Sequence, residues 1–384
     1  MTMTRTLWLI SALLLAAAGC APANDGPPSS LPQVPDTVFL VASDTTSHLL
    51  FSYELDPATG AIALVDNAGL SVDGAFALAS SPDGRFVFAA GAEGLTCIGV
   101  DVSTGALTAV DSQVLAGANA TFIAVHPFAP VIYVADGTAA PNGKIFIVGY
   151  DASDGTLGGQ VTVDAGGLDY PHGLALTPNG ALLYAANYAS GTGTGTTLTA
   201  FVVNATTGAL AAVAASPFDL AAANTADPRN LAITPAGDHL VVVDESSNPT
   251  KVAVASLEST TGALTGVGRA SPASGALGGG IAIAPNGAQV YATNRSNNTV
   301  STYALDATTG ALTFVETIGS GGVFPQAIAI EGSGSFVYVA NLTGGTIGAF
   351  SRSTTGSLSA LSPANYALPG AAPSAGYVVI VRPL

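Results

Sequence analysis

The sequence predicts an all-β fold: a seven-bladed β-propeller of four-stranded antiparallel blades, its ring closed by the C-terminal strand. Three observations predict it. A turn of Thr or Asp before Gly, followed by a small residue and an apolar one, recurs seven times. A second motif, a hairpin turn leading into an apolar strand, recurs six times in step with it. The composition suits short strands and many turns: 46 Gly and 23 Pro among 384 residues, 48% hydrophobic and 9% charged.

Residues 1–20 come first. Arg5 precedes an apolar run from Leu7 to Ala18, followed by Gly19 and Cys20. The run is too short to span a bilayer and fits the hydrophobic region of a secretory signal. "AAGC", ending at Cys20, resembles a bacterial lipoprotein box in which the Cys20 thiol takes the lipid. Ala21 follows it, which by resemblance to Gram-negative sorting signals favours the outer membrane. Residues 21–35, "APANDGPPSSLPQVP", read as a Pro-rich tether between anchor and domain. With Cys20 lipidated, Cys97 has no disulfide partner and reads as a buried, inert thiol in an apolar strand.

The propeller occupies residues 36–384. The first turn motif, from "ATGAI" to "TTGSL", places glycines at 60, 105, 155, 208, 262, 310 and 356, spaced by 45 to 54 residues. Seven units of about fifty residues fit seven four-stranded blades. The second motif runs "SPDGRFVFAA", "HPFAPVIYVA", "TPNGALLYAA", "TPAGDHLVVV", "APNGAQVYAT" and "EGSGSFVYVA". Each is a turn followed by a strand. The first unit lacks it and begins directly at "VFLVAS"; its missing inner strand is "GYVVIV", Gly376 to Val381. A strand from the far end then closes the circle and leaves no exposed edge.

Aligned on the hairpin glycines, the repeats expose two slots. Eight residues before the glycine position, at the start of the inner strand, stand Phe76, Thr121, His172, Arg229, Gly279 and Gln326. Eight residues after it, just beyond the second strand, stand Ala92, Gly137, Tyr188, Glu245, Arg295 and Leu342. The inner strand crosses the propeller and the second strand returns, so both slots lie on one face near the central channel. His172, Arg229, Glu245 and Arg295 belong to three successive blades and are expected to converge at one mouth. Each alone also has a structural reading. His172 could be a turn histidine bonded to backbone, Arg229 and Glu245 an ion pair between strands, and Arg295 a solvated loop residue. His126, His239, Asp136 and Asp244 are read as structural.

The segments "PHGLALTPNGALLYAAN", "ADPRNLAITPAG" and "YATNRSNNTVSTYALDATTGALT" resemble the lactonase-type seven-bladed propellers and the broader YVTN-repeat propellers. That family includes 6-phosphogluconolactonase-like and muconate-lactonizing-enzyme-like members. The resemblance implies hydrolysis of a lactone, or its formation from an organic acid, without metal or cofactor. It matches the family's catalytic His, two Arg and Glu to His172, Arg229, Arg295 and Glu245. Arg229 and Arg295 would bind a carboxylate or the developing oxyanion. His172 and Glu245 would move protons near neutral pKa, with His172 the favoured base. Tyr188, Asn230 and Gln326 join the arginines as substrate-binding candidates. Asn230 and Gln326 stand where the family often carries a second His and another Arg, which favours a neutral or singly charged lactone over a phosphorylated one.

The formal charge is −16, from 25 acids and 9 bases, and no basic cluster exists, which argues against nucleic-acid binding. No zinc spacing, nucleotide loop or serine nucleophile elbow occurs. The reading is a monomeric, extracytoplasmic, lipid-anchored lactonase acting on a sugar-acid or small organic-acid lactone. The alternative is a non-catalytic envelope propeller that binds a protein or glycan.

Overall fold

The computed structural model describes residues 37–92, 94–137, 143–163, 170–188, 196–220, 227–245, 250–270, 276–370 and 372–382. Cys20 and the tether lie outside them. All the regular elements are strands, arranged as seven antiparallel sheets. Blade 1 takes its inner strand, Ala375–Val381, from the C-terminus and pairs it with Val38–Asp44, with Leu40 opposite Ile380 and Val41 opposite Val379. The other inner strands are Ala75–Ser80, Ala120–Val125, Pro171–Leu176, Pro228–Ile233, Gly278–Ile283 and Val323–Ile330. They belong to blades 2 to 7 in order, so the closure expected from "GYVVIV" is present.

The strand sequences follow from what each strand touches. Second strands such as Phe86–Gly91 "FVFAAG" and Leu182–Asn187 "LLYAAN" are buried throughout, because neighbouring blades pack on both faces. Outer strands such as Leu157–Val163 "LGGQVTV" are largely exposed and read as polar or small. In blades 1 and 4 the outer strand is broken into two short pieces, Ile62–Leu64 with Leu70–Ser71, and Leu210–Ala212 with Phe218–Asp219.

The first turn motif also joins the blades. Gly208 has φ +70°, and a Cβ there would approach Val131 of the preceding blade to 2.6 Å. Glycine is therefore required twice, by conformation and by space. In four places a buried tyrosine of one blade donates its hydroxyl to the turn glycine carbonyl of the next. These are Tyr133 to Gly208 (2.8 Å), Tyr184 to Gly262 (2.8 Å), Tyr291 to Gly356 (2.7 Å) and Tyr338 to Gly60 (2.7 Å). The last spans the seam between blades 7 and 1.

Every inner strand carries a β-bulge near its start. Phe76, Thr121, Arg229 and Gln326 are each the one residue skipped by the pairing with the second strand. In blades 4, 6 and 1 the extra residue falls within His172–Gly173, Gly279–Gly280 and Gly376–Tyr377. These are the residues of the first repeat slot, now including blade 1. A bulge takes a residue out of the ladder and re-aims its side chain.

Closure by a strand remote in sequence makes a direct expectation. Deleting Gly376–Leu384 removes an inner strand and exposes sheet edges on both sides of the seam. The truncated protein should aggregate or melt far below the full chain in a thermal scan. Unchanged solubility and melting temperature would refute the closure.

Candidate active site

The second slot is held against the first by backbone. The amides of Tyr188, Glu245 and Arg295 donate to the carbonyls of Tyr170 (3.1 Å), Asp227 (2.9 Å) and Leu277 (2.9 Å). Each of those carbonyls lies two residues before the inner-strand slot. Tyr170, Leu277 and Phe324, all at this preceding position, adopt positive φ of 51°, 56° and 60°. Such conformations cost about 1–3 kcal/mol each and gather at functional sites.

Three of the expected residues form one ion triad. Glu245 presents one carboxylate oxygen to Nη1 of Arg229 and the other to Nη2 of Arg295. Both arginine side chains are buried, at 8% exposure each, and the glutamate is mostly covered at 12%. The ion pair between Arg229 and Glu245 therefore exists, but Arg295 is no solvated loop residue: it completes the group. Gly279 explains how it gets there. A Cβ on Gly279 would approach the Arg295 stem to 3.0 Å and the Pro325 carbonyl to 2.9 Å. The blade 6 slot is empty of side chain so that Arg295 can lean across it. Its guanidinium lies 4.9 Å from the Phe324 ring centroid, and its Nη1 donates to Gln326 Oε1 at 3.4 Å.

His172 sits beside this triad, 5% exposed, its ring edge-on to Tyr188 at 5.8 Å. Its Nδ1 is buried without a hydrogen-bond partner among the described residues. Burial first, and then the charges of Arg229 and Arg295, hold its pKa well below the usual imidazole value. The expectation of a near-neutral pKa is thus corrected: the ring is neutral at physiological pH. Burial also lowers Arg229, and burial with Arg229 lowers Arg295 to about 9, which leaves it charged at neutral pH. Two guanidiniums against one carboxylate leave the site net positive. A cavity of about 530 Å³ opens over it, lined by His172, Arg229, Tyr188, Tyr170, Thr121, Phe76 and His48. That volume suits a small organic molecule.

Asn230, 3% exposed, follows Arg229 and donates Nδ2 to the Gly279 carbonyl at 2.9 Å. With Gln326 it lines a smaller cavity of about 140 Å³ on the channel axis. Tyr377 shares that cavity and was absent from the sequence reading. The signal for it existed. Extending the repeat alignment to the C-terminal strand puts Tyr377 in register with Phe122 and Asn230, one residue past the slot.

The structural readings of His126, His239, Asp136 and Cys97 are met. His126 Nδ1 accepts from the amides of Phe128 (3.1 Å) and Ala129 (2.9 Å), and Nε2 lies 3.1 Å from the Gly180 carbonyl. His239 packs under Gly310, with Nδ1 3.1 Å from Asp238 Oδ1. Asp136 Oδ1 accepts from the Asn119 amide at 2.9 Å. Cys97 is fully buried, with burial pushing its thiol up to about 12.

The fold and the site together are a seven-bladed ring with two guanidiniums, one carboxylate and an imidazole gathered at its mouth. Residues 89–200 and 270–372, more than half of the chain, match the family described as lactonase, seven-bladed β-propeller. The chain belongs to that family. Among solved structures it is similar to a candidate 6-phosphogluconolactonase from Bacteroides uniformis, with a TM-score of 0.75 at 20% identity, covering 90% of this chain and 100% of that one. It is similar to the periplasmic gluconolactonase of Pseudomonas aeruginosa, with a TM-score of 0.74 at 20% identity, covering 91% and 100%. It also resembles hydrazine synthase of Kuenenia stuttgartiensis, with a TM-score of 0.56 at 18% identity, covering 78% and 91%. At these identities the likenesses establish fold alone. No curated protein matches the chain.

The triad makes a stability prediction. Glu245→Ala strands two buried guanidiniums and should cost about 3–5 kcal/mol in denaturant unfolding. A cost within about 0.5 kcal/mol would mean the pair is hydrated and independent of Glu245. His172 makes a second one. Its pKa is lowered in the folded state, so the unfolded chain binds the extra proton first as pH falls. Its contribution is complete above the ordinary imidazole pKa of about 6.5 and is lost as pH falls below it. His172→Gln should flatten the fall in stability across that acidic window. An unaltered slope would show that His172 is not held neutral.

Proposed function

We propose that the protein is a lactonase that opens, or in reverse closes, the lactone of a sugar acid or small organic acid. It does so outside the cytoplasm, anchored by lipid on Cys20. The observation that carries the reaction is the buried His172 together with Arg229 in the lining of the 530 Å³ cavity, with Arg295 joined to Arg229 through Glu245. The "AAGC" box supports the address, as does the likeness to a periplasmic gluconolactonase.

The chemistry follows from charge. The lactone carbonyl oxygen faces a guanidinium, which stabilises the negative charge that develops when water attacks. His172 takes the proton from that water as the new C–O bond forms. The tetrahedral intermediate collapses, the ring C–O bond breaks, and the imidazolium returns its proton to the departing ring oxygen. The sum is one water added, and neither metal nor cofactor enters. A depressed pKa makes His172 a weak base while the arginines dominate its field. A carboxylate, or the forming oxyanion, offsets that field and raises its basicity at the moment of transfer. Glu245, tied at both oxygens, serves better as the fixed counter-charge than as a second base. The product is a carboxylate, which matches a net-positive site, and the reverse reaction uses the same groups.

The test is a turnover screen of the mature domain on aldonolactones and organic-acid lactones. Arg229→Ala should lose about 10²–10³-fold in kcat, and His172→Ala about 10²–10⁴-fold, with the fold retained. Because His172 stays neutral below its usual titration range, kcat/KM should hold level as pH falls through about 6.5. Full turnover in both variants, or no turnover on any lactone, would leave a non-catalytic binding propeller. For the address, Cys20→Ala should abolish lipid attachment and membrane partition. Equal partition of both forms would exclude this anchor.

A further inference from the structure

Three buried polar side chains meet at Asn230, whose amide faces both His172 and Tyr377. Tyr377 OH, Asn230 Oδ1 and His172 Nδ1 each lack a hydrogen-bond partner among the described residues. All three residues are more than nine-tenths buried, at 6%, 3% and 5% exposure. Leaving such atoms unsatisfied costs about 1–3 kcal/mol apiece, so a fold that places them together has a use for them. Asn230 stands between the other two. Its Nδ2 is committed to the Gly279 carbonyl, so Oδ1 is turned the other way. That Oδ1 lies 2.9 Å from where a Cβ on Gly173 would stand, next to His172 in the chain. On the opposite side Asn230 and Tyr377 line the same cavity of about 140 Å³, with Gln326. Water occupies about 30 Å³ in the liquid, so this cavity has room for an ordered molecule with several polar partners.

The Tyr377 ring is clamped edge-on between Phe76 (5.5 Å) and Phe122 (6.0 Å), so its hydroxyl has one direction to point. Burial pushes that hydroxyl up to about 12, with Arg229 and the Asn230 side chain pulling the other way. It is therefore protonated at any working pH and can donate. The Asn230 side chain and the Arg229 carbonyl likewise favour a proton on the His172 ring.

We propose that Tyr377 is a positioning residue, acting through Asn230 to hold the His172 imidazole in a single tautomer. Tyr377 fixes the Asn230 amide by donating towards Oδ1, and Oδ1 accepts from one ring nitrogen of His172. The other nitrogen is left as the acceptor. Hydrogen bonds of this kind are often long in the ligand-free protein and tighten in the complex. The closing strand thereby does two things: it completes the ring, and it orients the imidazole. The purpose of the tautomer rests on the lactonase reading, but its existence does not.

The test is made without substrate. The chain has four histidines, so long-range proton–nitrogen NMR of the imidazoles, assigned with His172→Ala, resolves them. At mildly alkaline pH His172 should show one dominant tautomer. Tyr377→Phe keeps the ring between Phe76 and Phe122 and should shift that tautomer ratio by about 5-fold, the effect of one neutral hydrogen bond. The other three histidines should not move. Asn230→Ala should shift the ratio in the same direction, with the Arg229 carbonyl left as the remaining acceptor, and adding Tyr377→Phe to it should change nothing more. An unmoved His172 in Tyr377→Phe, or in Asn230→Ala, overturns the proposal. So does an equal Tyr377→Phe effect in the Asn230→Ala background, which would exclude passage through Asn230. Absence of lactone turnover would sink the catalytic reading and leave these outcomes intact.

Discussion

Two guanidiniums sharing one buried carboxylate is the interaction on which the site depends. Arg229 and Arg295 come from different blades, and Glu245 meets both. Removing three charges from water costs several kcal/mol per ion, and their mutual attraction offsets this only with good geometry. A buried triad of this kind is weak evidence for stability and better evidence for a role. Here the role is to keep positive charge inside an apolar ring without letting it collapse onto solvent or onto a second carboxylate. Burial first, and then that field, lower the His172 pKa, and it is the same field that a carboxylate product or an oxyanion would meet.

The backbone explains why the charges can be held there. The core of a propeller is made of second strands buried on both faces, and such strands accept almost nothing but apolar and small residues. The inner strands escape this rule at one place, the bulge near their start. Arg229 is the bulged residue of its strand, and His172 lies within the bulge of the neighbouring one. Gly279 fills the same place in blade 6 and yields its space to Arg295. A repeated irregularity thus gives each blade one free position at the channel mouth. Blades 4 and 5 place His172 and Arg229 there, blade 6 leaves Gly279 bare for Arg295, and Phe76 and Thr121 in blades 2 and 3 line the cavity wall.

Much of this was legible in the sequence. The turn glycines gave the blade count, and the gap in the second motif pointed to the C-terminal strand as the closure. The alignment slots found His172, Arg229, Glu245 and Arg295, because repeats put equivalent positions on one face. What the alignment could not contain was distance. That Glu245 serves two arginines at once, and that Arg295 is buried rather than solvated, depends on the bare Gly279 and on Phe324 at positive φ. The depressed His172 pKa depends on burial, which a single sequence does not report. Tyr377 escaped because no hairpin glycine follows its strand, so the slot count stopped at six, and because it stands one residue past the slot. The broken outer strands of blades 1 and 4 follow no motif that the repeats share.

The account's central claim is that the triad and His172 form the floor of a lactone site. A crystal structure of the mature domain with a bound aldonate, the product of a sugar lactone, tests it most directly. The account predicts the ligand in the cavity over His172, its carboxylate within hydrogen-bonding distance of Arg229 or Arg295 and its carbon face against Tyr188. An aldonate bound with its carboxylate away from both arginines, or found only on the opposite face of the ring, would contradict it.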